Sequence, residues 1–110
     1  MTAAGSAVWF PVEIAASPRT RARGLLGRTG IAGAMLLTPA RSVHSLGMRF
    51  ALDVAYLDRE LRVLGVHTMA PHRLALPRPG ARHVLEAEAG SWAGWGVRPG
   101  VTMHVKYGAS

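Results

Sequence analysis

Residues 43–58 read V-H-S-L-G-M-R-F-A-L-D-V-A-Y-L-D and form the longest stretch of the chain that is typical of a buried strand. In its second half the side chains alternate, so that Leu52 and Val54 face one way while Asp53 and Ala55 face the other. A carboxylate on an apolar strand face is costly to bury unless it is paired or hydrogen-bonded. We therefore expect this strand to lie in the middle of a sheet, with an arginine or backbone donors in contact with Asp53.

The composition is typical of a folded globular chain. Of the 110 residues, 49% are hydrophobic and 17% are charged, which excludes an intrinsically disordered protein. At this length we expect a single domain over residues 1–110, with disordered ends at 1–6 and 108–110. The chain has no cysteine, which excludes disulfides, a thiol nucleophile and thiolate metal ligands.

The charge is strongly positive. The formal net charge is +7, and because Lys106 is the only lysine, arginine supplies almost all of it. The arginines are scattered rather than run together, which favours a solvated surface and a GC-rich coding bias over a dedicated basic face. We expect an anionic small molecule or glycan as the partner in preference to nucleic acid, and the sequence leaves the oligomeric state open.

The start of the chain carries no recognisable targeting segment. Residues 1–6 lack a positively charged region, and the apolar stretch that follows is interrupted by Pro11 and Glu13. No segment approaches the ~20 apolar residues of a membrane span. We therefore expect a soluble protein of the cytoplasm.

Turn residues divide the chain into short elements. Strands are expected at residues 7–15, 34–38, 43–46, 50–57, 61–69, 82–87 and 101–107. Ser17-Pro18 predicts a helix over about residues 17–27, because serine is a good N-cap and proline is favoured at the first helical position. A short helical turn is expected at about 91–95. The pattern predicts a β-rich α+β fold, either a mainly antiparallel sheet or a partly closed barrel.

Several motifs follow one another in a characteristic order. They are R-A-R-G-L-L-G-R at 21–28, G-A-M-L-L at 33–37, H-S-L-G-M-R-F-A-L-D-V-A-Y-L-D at 44–58, V-L-E-A-E-A-G at 84–90 and G-V-R-P-G at 96–100. Together they resemble the domain-of-unknown-function 192 family, which is widespread in prokaryotes, over residues 12–105. The resemblance implies a compact, β-rich fold. It implies no reaction, because the family is not biochemically characterised.

The resemblance transfers a set of motif positions onto this chain. These positions are Arg21, Gly24, Leu25, Arg28, Met48, Arg49, Asp53, Asp58, Glu86 and Gly90. Two departures matter. Gly47 stands where many members have a tryptophan, with a shorter step to the aspartate, as in one subgroup of the family. Many members also carry a signal peptide, and because none is expected here, their extracytoplasmic setting is not transferred.

Two interpretations of Asp53 remain open at this point. It is either a pocket carboxylate that acts as a base, metal ligand or hydrogen-bond acceptor, or half of a structural ion pair with Arg21 or Arg28. We favour the ion pair, because buried pairs also fix how a helix docks on a sheet. His44, Asp53 and Glu86 would suit a divalent ion if their strands were neighbours. No H-x-x-x-H or H-x-H motif is present, so no metal or cofactor is expected.

The favoured function is a non-enzymatic binding or accessory module. Its cleft would lie between the Arg21 helix and the Asp53 strand, closed by the proline-rich loop 70–80, with arginines that bind an anionic group. The candidate ligand-binding residues are Arg21, Arg28, His44, Arg49, Asp53 and Glu86, with Trp95 as an aromatic contact. The alternatives are a hydrolase-type enzyme that uses Asp53 with His44 or a metal, and a nucleic-acid binder with an arginine-rich surface. Whether the chain is an enzyme stays open, because it has neither a G-x-S-x-G elbow nor a phosphate-binding loop.

Overall fold

The computed structural model describes residues 1–107 and contains seven strands and two short helices. In chain order these are β1 (Thr2–Ala3), β2 (Val12–Ala15), α1 (Pro18–Arg23), β3 (Ala34–Leu37), β4 (Leu52–Leu57), β5 (Val63–Met69), β6 (His83–Glu88), α2 (Ser91–Trp95) and β7 (Met103–His104). The predicted β-rich α+β class is confirmed. The expected disorder of residues 108–110 lies outside the described part of the chain.

The strands form two sheets. A five-stranded sheet has the order β2-β3-β6-β4-β5, and β1 pairs with β7 in a separate two-stranded sheet. All pairings are antiparallel except the parallel pair of β2 and β3. Because β2 and β5 remain as edges, residues 1–107 adopt the open antiparallel arrangement rather than the barrel. β4 lies between β6 and β5, and every one of its six residues is buried.

A hydrophobic core lies on each face of the large sheet. On one face, Ala55 and Leu57 of β4 pack in a cluster that includes Trp92 of α2; we call this the α2-side core. On the other face, Leu52 and Val54 pack in a cluster that includes Leu25, which follows α1; we call this the α1-side core. The sheet is therefore covered on both faces, which is why β4 shows no exposed side chain.

Helix α1 begins where the sequence predicts and ends earlier. Ser17 is its N-cap and forms a capping box with Thr20, since each side chain accepts a hydrogen bond from the other residue's backbone N–H. The helix ends at Arg23, because Gly24 adopts φ 49° and ψ −129°, outside the helical region. The predicted extension to residue 27 is therefore wrong. Helix α2 confirms the helical turn predicted at 91–95.

The structure of residues 1–6 and of residues 43–46 differs from the sequence-based expectation. Residues 1–6, which were expected to be disordered, include a strand: Thr2–Ala3 pairs with Met103–His104, and Ala3 is 1% exposed. That pairing joins segments about a hundred positions apart, which no local pattern can reveal. Residues 43–46 were expected as a strand and form only an isolated bridge between His44 and Leu74.

The segment around residue 45 is instead fastened to the proline-rich loop. The buried Ser45 hydroxyl donates to the carbonyl oxygen of Ala70 at 2.6 Å and accepts from the backbone N–H of Arg73 at 2.9 Å. The backbone of Ser45 adds a hydrogen bond from the N–H of His72 at 2.7 Å. These bonds hold residues 43–48 and the loop 70–80 together as one unit.

Both helices of the described chain, residues 1–107, are too short to span a lipid bilayer.

Gly33 tests how closely β2 approaches β3. A Cβ at Gly33 would overlap the carbonyl of Pro11, which accepts the first hydrogen bond of this parallel pair from Ala34. We expect Gly33→Ala to lower the free energy of unfolding by about 2 kcal/mol. Gly94→Ala is the matched control, because a Cβ there meets nothing within 4 Å and alanine favours the helix. Thermal unfolding of both variants checks this, and equal midpoints would contradict the close approach.

Candidate functional site

The carboxylate of Asp53 is satisfied by backbone and hydroxyl donors. Its Oδ1 accepts from the Thr68 hydroxyl at 2.8 Å, and its Oδ2 accepts from the backbone N–H groups of Gly90 and Trp92, both at 3.0 Å. Gly90 is the N-cap of α2, and a helix N-terminus attracts negative charge. The expected backbone donors to Asp53 are therefore present. The favoured prediction of an ion pair between Asp53 and a helix arginine is wrong.

The two arginines proposed as partners of Asp53 are engaged elsewhere. Arg28 forms a partly exposed salt bridge with Glu13, in which Nη2 and Oε1 lie 3.0 Å apart. Arg21 donates from Nη1 to the carbonyl oxygen of Pro39 at 2.9 Å and thereby links α1 to the end of β3. Both contacts join elements adjacent to the β2–β3 edge of the sheet, whereas Asp53 lies in the α2-side core.

Asp53 and Glu86 lie on opposite faces of the sheet. Across the antiparallel pair of β4 and β6, Asp53 is opposite Ala87 and Val54 is opposite Glu86. Directly opposed residues share a face and neighbours along a strand do not, so Glu86 belongs to the α1-side face. The sequence allowed Asp53, Glu86 and His44 to converge if their strands were neighbours. Strands β4 and β6 are neighbours, but Asp53 and Glu86 do not converge because their side chains lie on opposite faces. Among residues 1–107 no group of three or more histidine or acidic side chains could hold a metal ion.

Glu86 borders a small cavity between the end of α1, strands β3 and β6, and residues 42–48. The cavity has a volume of about 60 Å³ and is lined by the basic residues Arg21, Arg23 and His44, together with apolar residues that include Leu25 and Met48. A cavity of this size holds a few water molecules or the head group of a small ligand. Neither Asp53 nor any residue of the proline-rich loop 70–80 lines it, so this cavity is not the cleft predicted between the Arg21 helix and the Asp53 strand.

The carboxyl group of Glu86 is buried and lacks a partner. The side chain is 3% exposed, and its Oε1 has no hydrogen-bond partner within the described chain. Burial raises the pKa of Glu86 from 4.5 to about 7, because desolvation disfavours the charged form. At neutral pH the group therefore exists as a mixture of a neutral carboxyl, which can donate a hydrogen bond, and a carboxylate, which can only accept one.

Gly24 keeps this cavity open. A Cβ at Gly24 would lie 3.5 Å from Oε1 of Glu86 and 3.9 Å from Cδ2 of Leu37. The φ of 49° is also one that residues with a side chain rarely adopt. The end of α1 thus passes over Glu86 without a side chain that would cover the carboxyl group.

The structure brings together three of the residues proposed from sequence. Arg21, His44 and Glu86 all line the cavity. Arg49 is exposed and does not line it. Trp95 packs instead against Phe10, with parallel rings whose centroids lie 4.1 Å apart.

Two of the polar cavity residues were not proposed from sequence. Arg23 lies two positions after Arg21 in the last turn of α1, and both residues line the cavity. Ser42 also lines the cavity, and it lies in an irregular segment that no periodic pattern marks.

The sequence matches one protein-family model and is similar to proteins from two species of the genus Pyrococcus. The DUF192 family model, described as "Uncharacterized ACR", matches residues 1–105. A UPF0127 protein of Pyrococcus horikoshii is 32% identical over 84 residues, which cover 72% of this chain and 73% of that protein. A UPF0127 protein of Pyrococcus abyssi is 31% identical over 84 residues and covers 72% of each chain.

Two solved structures are similar over most of this chain. A protein of unknown function from Novosphingobium aromaticivorans has a TM-score of 0.77 at 25% identity, covering 87% of this chain and 75% of that one. A "putative transcription regulator" from Sinorhizobium meliloti has a TM-score of 0.79 at 25% identity, covering 93% of this chain and 86% of that one.

Removal of the Asp53 carboxylate should destabilise the fold. Asp53→Ala leaves the N–H groups of Gly90 and Trp92 without their acceptor, which we expect to cost about 3 kcal/mol of unfolding free energy. Asp58→Ala is the control, since Asp58 also accepts two backbone N–H groups, but in a more exposed turn, and its loss should cost about 1 kcal/mol. Urea unfolding measures both values, and an Asp53→Ala loss no larger than that of Asp58→Ala would refute the capping role.

Ionisation of Glu86 should make stability depend on pH. Its pKa of about 7 in the folded chain exceeds the ordinary 4.5, so the native state binds the proton more tightly than the unfolded state does. The stabilising contribution is complete below pH 4.5 and is lost as the pH rises to about 7, by about 3 kcal/mol. We expect the difference in unfolding free energy between the wild type and Glu86→Gln to fall by this amount. A difference that stays constant from pH 4.5 to 8 would contradict a buried, unpartnered Glu86.

Proposed function

The chain belongs to the DUF192 family, whose description assigns no activity, and we propose that it is a non-enzymatic binding module for a small anionic ligand. The proposal rests chiefly on the buried, unpartnered carboxyl group of Glu86 beside the cavity. Natural proteins seldom leave a buried polar atom without a partner, and a bound water, ion or other group can supply that partner. The cavity beside it supplies the space for that group.

The charges around the cavity favour an anion. Arg21, Arg23 and His44 line the cavity, and Glu86 is its only acidic lining residue. The net charge of +7 adds a positive potential over the whole chain. The guanidinium of Arg21 is also held in place, because Nη1 and Nε donate to the carbonyl oxygens of Pro39 and Ser17. In the described chain its Nη2 has no protein acceptor, so this nitrogen is available to a ligand.

The size and lining of the cavity favour a small ligand with an apolar part. A volume of about 60 Å³ accepts a head group rather than a whole metabolite. Leu26 lines the cavity and is 38% exposed, so it offers an apolar contact outside the buried part. The ligand that fits best carries one anionic group for the cavity and a short apolar stem for its rim.

The hydrolase alternative has less support. It required Asp53 to act with His44 or a metal, whereas Asp53 caps α2 in the core on the other face of the sheet. An acid committed to two backbone N–H groups and separated from the cavity by the sheet cannot transfer a proton to a ligand there. Ser42 and His44 both line the cavity, but Nδ1 of His44 accepts a hydrogen bond from the backbone N–H of Leu46.

Nucleic-acid binding is the second candidate. It is favoured by the name of the Sinorhizobium meliloti relative and by a shallow surface depression that Arg41, Arg59 and Arg82 line in this chain. Asp58 and Glu60 line the same depression and offset part of its positive charge. The depression contains no buried unpartnered group, so we rank it below the Glu86 cavity.

An NMR titration tests the anionic ligand. We expect sodium acetate or inorganic phosphate to shift the amide signals of Gly24, Leu25 and Glu86 saturably. Arg21→Met should weaken this binding about tenfold, as expected for the loss of a charged hydrogen bond. Arg19→Met is the matched control, because Arg19 is an exposed residue of α1 that does not line the cavity.

Three outcomes would contradict the proposal. They are the absence of saturable shifts, equal weakening in the Arg19→Met control, and a mixed-sequence DNA duplex that shifts Arg41, Arg59 and Arg82 while the small anions shift nothing. The third outcome would favour the second candidate. The thermal midpoint of each variant shows that it is folded.

A further inference from the structure

We infer that the anion bound in this cavity is a carboxylate and that it binds together with one proton, which stays on Glu86 and forms a hydrogen bond to the ligand. The inference rests on the proposed anion-binding function and adds the ligand class and its coupling to pH. It starts from geometry. Oε1 of Glu86 is buried without a partner, the side chain is 3% exposed, and the cavity that it borders accepts only a small group.

The surroundings of Glu86 contain no group that would neutralise its negative charge directly. Strands β3 and β4 place Met35 and Val54 opposite it, and neither is polar. Glu86 takes part in none of the salt bridges found in residues 1–107. The titratable or charged groups that face it are Tyr56 from β4, Arg21 and Arg23 from α1, and His44 from the segment 42–48.

These four groups do not offer Glu86 a hydrogen-bond acceptor. Tyr56 is already engaged, since its hydroxyl lies 2.9 Å from Nε2 of His67. Arg21, Arg23 and His44 line the cavity, and none of them forms a hydrogen bond with Oε1 of Glu86. A protonated Glu86 therefore lacks an acceptor within the described chain, and the space in which an acceptor could sit is the cavity.

A carboxylate ligand can interact with both Glu86 and Arg21. One ligand oxygen accepts the hydrogen bond from the protonated carboxyl of Glu86, and the negative charge faces the guanidinium of Arg21. Two ionised carboxylates cannot share so small a space, because like charges at contact distance disfavour double ionisation. Binding must therefore take up a proton from solvent whenever Glu86 is ionised beforehand. The O–H bond that an ionised Glu86 forms with a proton from solvent is the one covalent change, and the complex gains one ligand anion and at most one proton.

An ammonium ligand is the alternative that this arrangement disfavours. An ammonium would pair with ionised Glu86, but it would also face Arg21, Arg23 and His44 across a cavity that contains no second acid. Like charges destabilise such a complex. The two ligand classes differ in the sign of the change in bound protons. Binding of a carboxylate takes up a proton, and binding of an ammonium releases one.

The pH dependence follows from linkage. Burial raises the pKa of Glu86 to about 7, so below pH 7 the free protein already carries the proton and the affinity for a carboxylate is constant. Above pH 7 the dissociation constant should rise about tenfold for each pH unit, because one proton must be bound with each ligand.

Isothermal titration calorimetry with sodium acetate and sodium propionate tests the inference. At pH 8, titrations in two buffers that differ in ionisation enthalpy should show the uptake of close to one proton for each acetate bound, and at pH 6 almost none. Glu86→Gln should still bind acetate, because its amide N–H replaces the carboxyl O–H as donor, but without proton uptake and with an affinity that stays constant from pH 6 to 9.

Two control variants separate Glu86 from its neighbours. His44→Gln should keep the proton uptake, and Arg19→Met should behave as the wild type does. Loss of proton uptake in His44→Gln with retention in Glu86→Gln would assign the proton to the histidine and overturn the inference.

The outcomes also separate this inference from the proposed function. If acetate binds in an Arg21-dependent manner with neither proton uptake nor pH dependence, anion binding stands and proton coupling is wrong. If acetate, propionate and phosphate all fail to bind between pH 6 and 9, the proposed function itself is wrong. If methylammonium binds in preference to acetate and a proton is released, the ligand is a cation and the inference of a carboxylate ligand is wrong.

Discussion

The fold depends on a carboxylate that is buried in the central strand and seated against the start of a helix. Asp53 accepts hydrogen bonds from two N–H groups at the start of α2 and from one hydroxyl of β5. Burial of a charge in an apolar core is unfavourable by itself, and these three donors offset that cost. The same bonds join β4, β5 and α2 at one point, so the α2-side core is positioned by polar contacts as well as by apolar packing.

This anchor also determines where the candidate site can lie. Once Asp53 faces α2, the alternation of β4 directs Val54 to the other face, and the antiparallel register brings Glu86 opposite Val54. The two acids of the central strands thus have different roles on different faces. Asp53 is fully hydrogen-bonded and structural, whereas Glu86 lacks a partner and borders a cavity. A chain that keeps one buried acid unsatisfied gives up stability at that position, which is typical of functional sites.

Sequence patterns predicted the parts of this arrangement that are local. Alternation identified β4, the Ser17-Pro18 pair identified the start of α1, and the need of Asp53 for donors was evident from its apolar surroundings. The identity of those donors was not predictable, because backbone N–H groups carry no residue-type signal and lie 37 and 39 positions away in the chain. The end of α1 was missed because it depends on the backbone conformation of one glycine, Gly24. Arg21, His44 and Glu86 were proposed individually, but their grouping without Asp53 required the register of the sheet.

The hydroxyl of Ser45 has a consequence for how relatives with this fold can diversify. Through Ser45 the cavity wall 43–48 is tied to the proline-rich loop, although no residue of that loop lines the cavity. A change in the length or stiffness of the loop would therefore shift the positions of His44 and Met48, although the amino-acid identity of every residue that lines the cavity is unchanged. Surface loops tolerate such changes well, so ligand preference can drift during evolution through a part of the surface that the ligand never contacts.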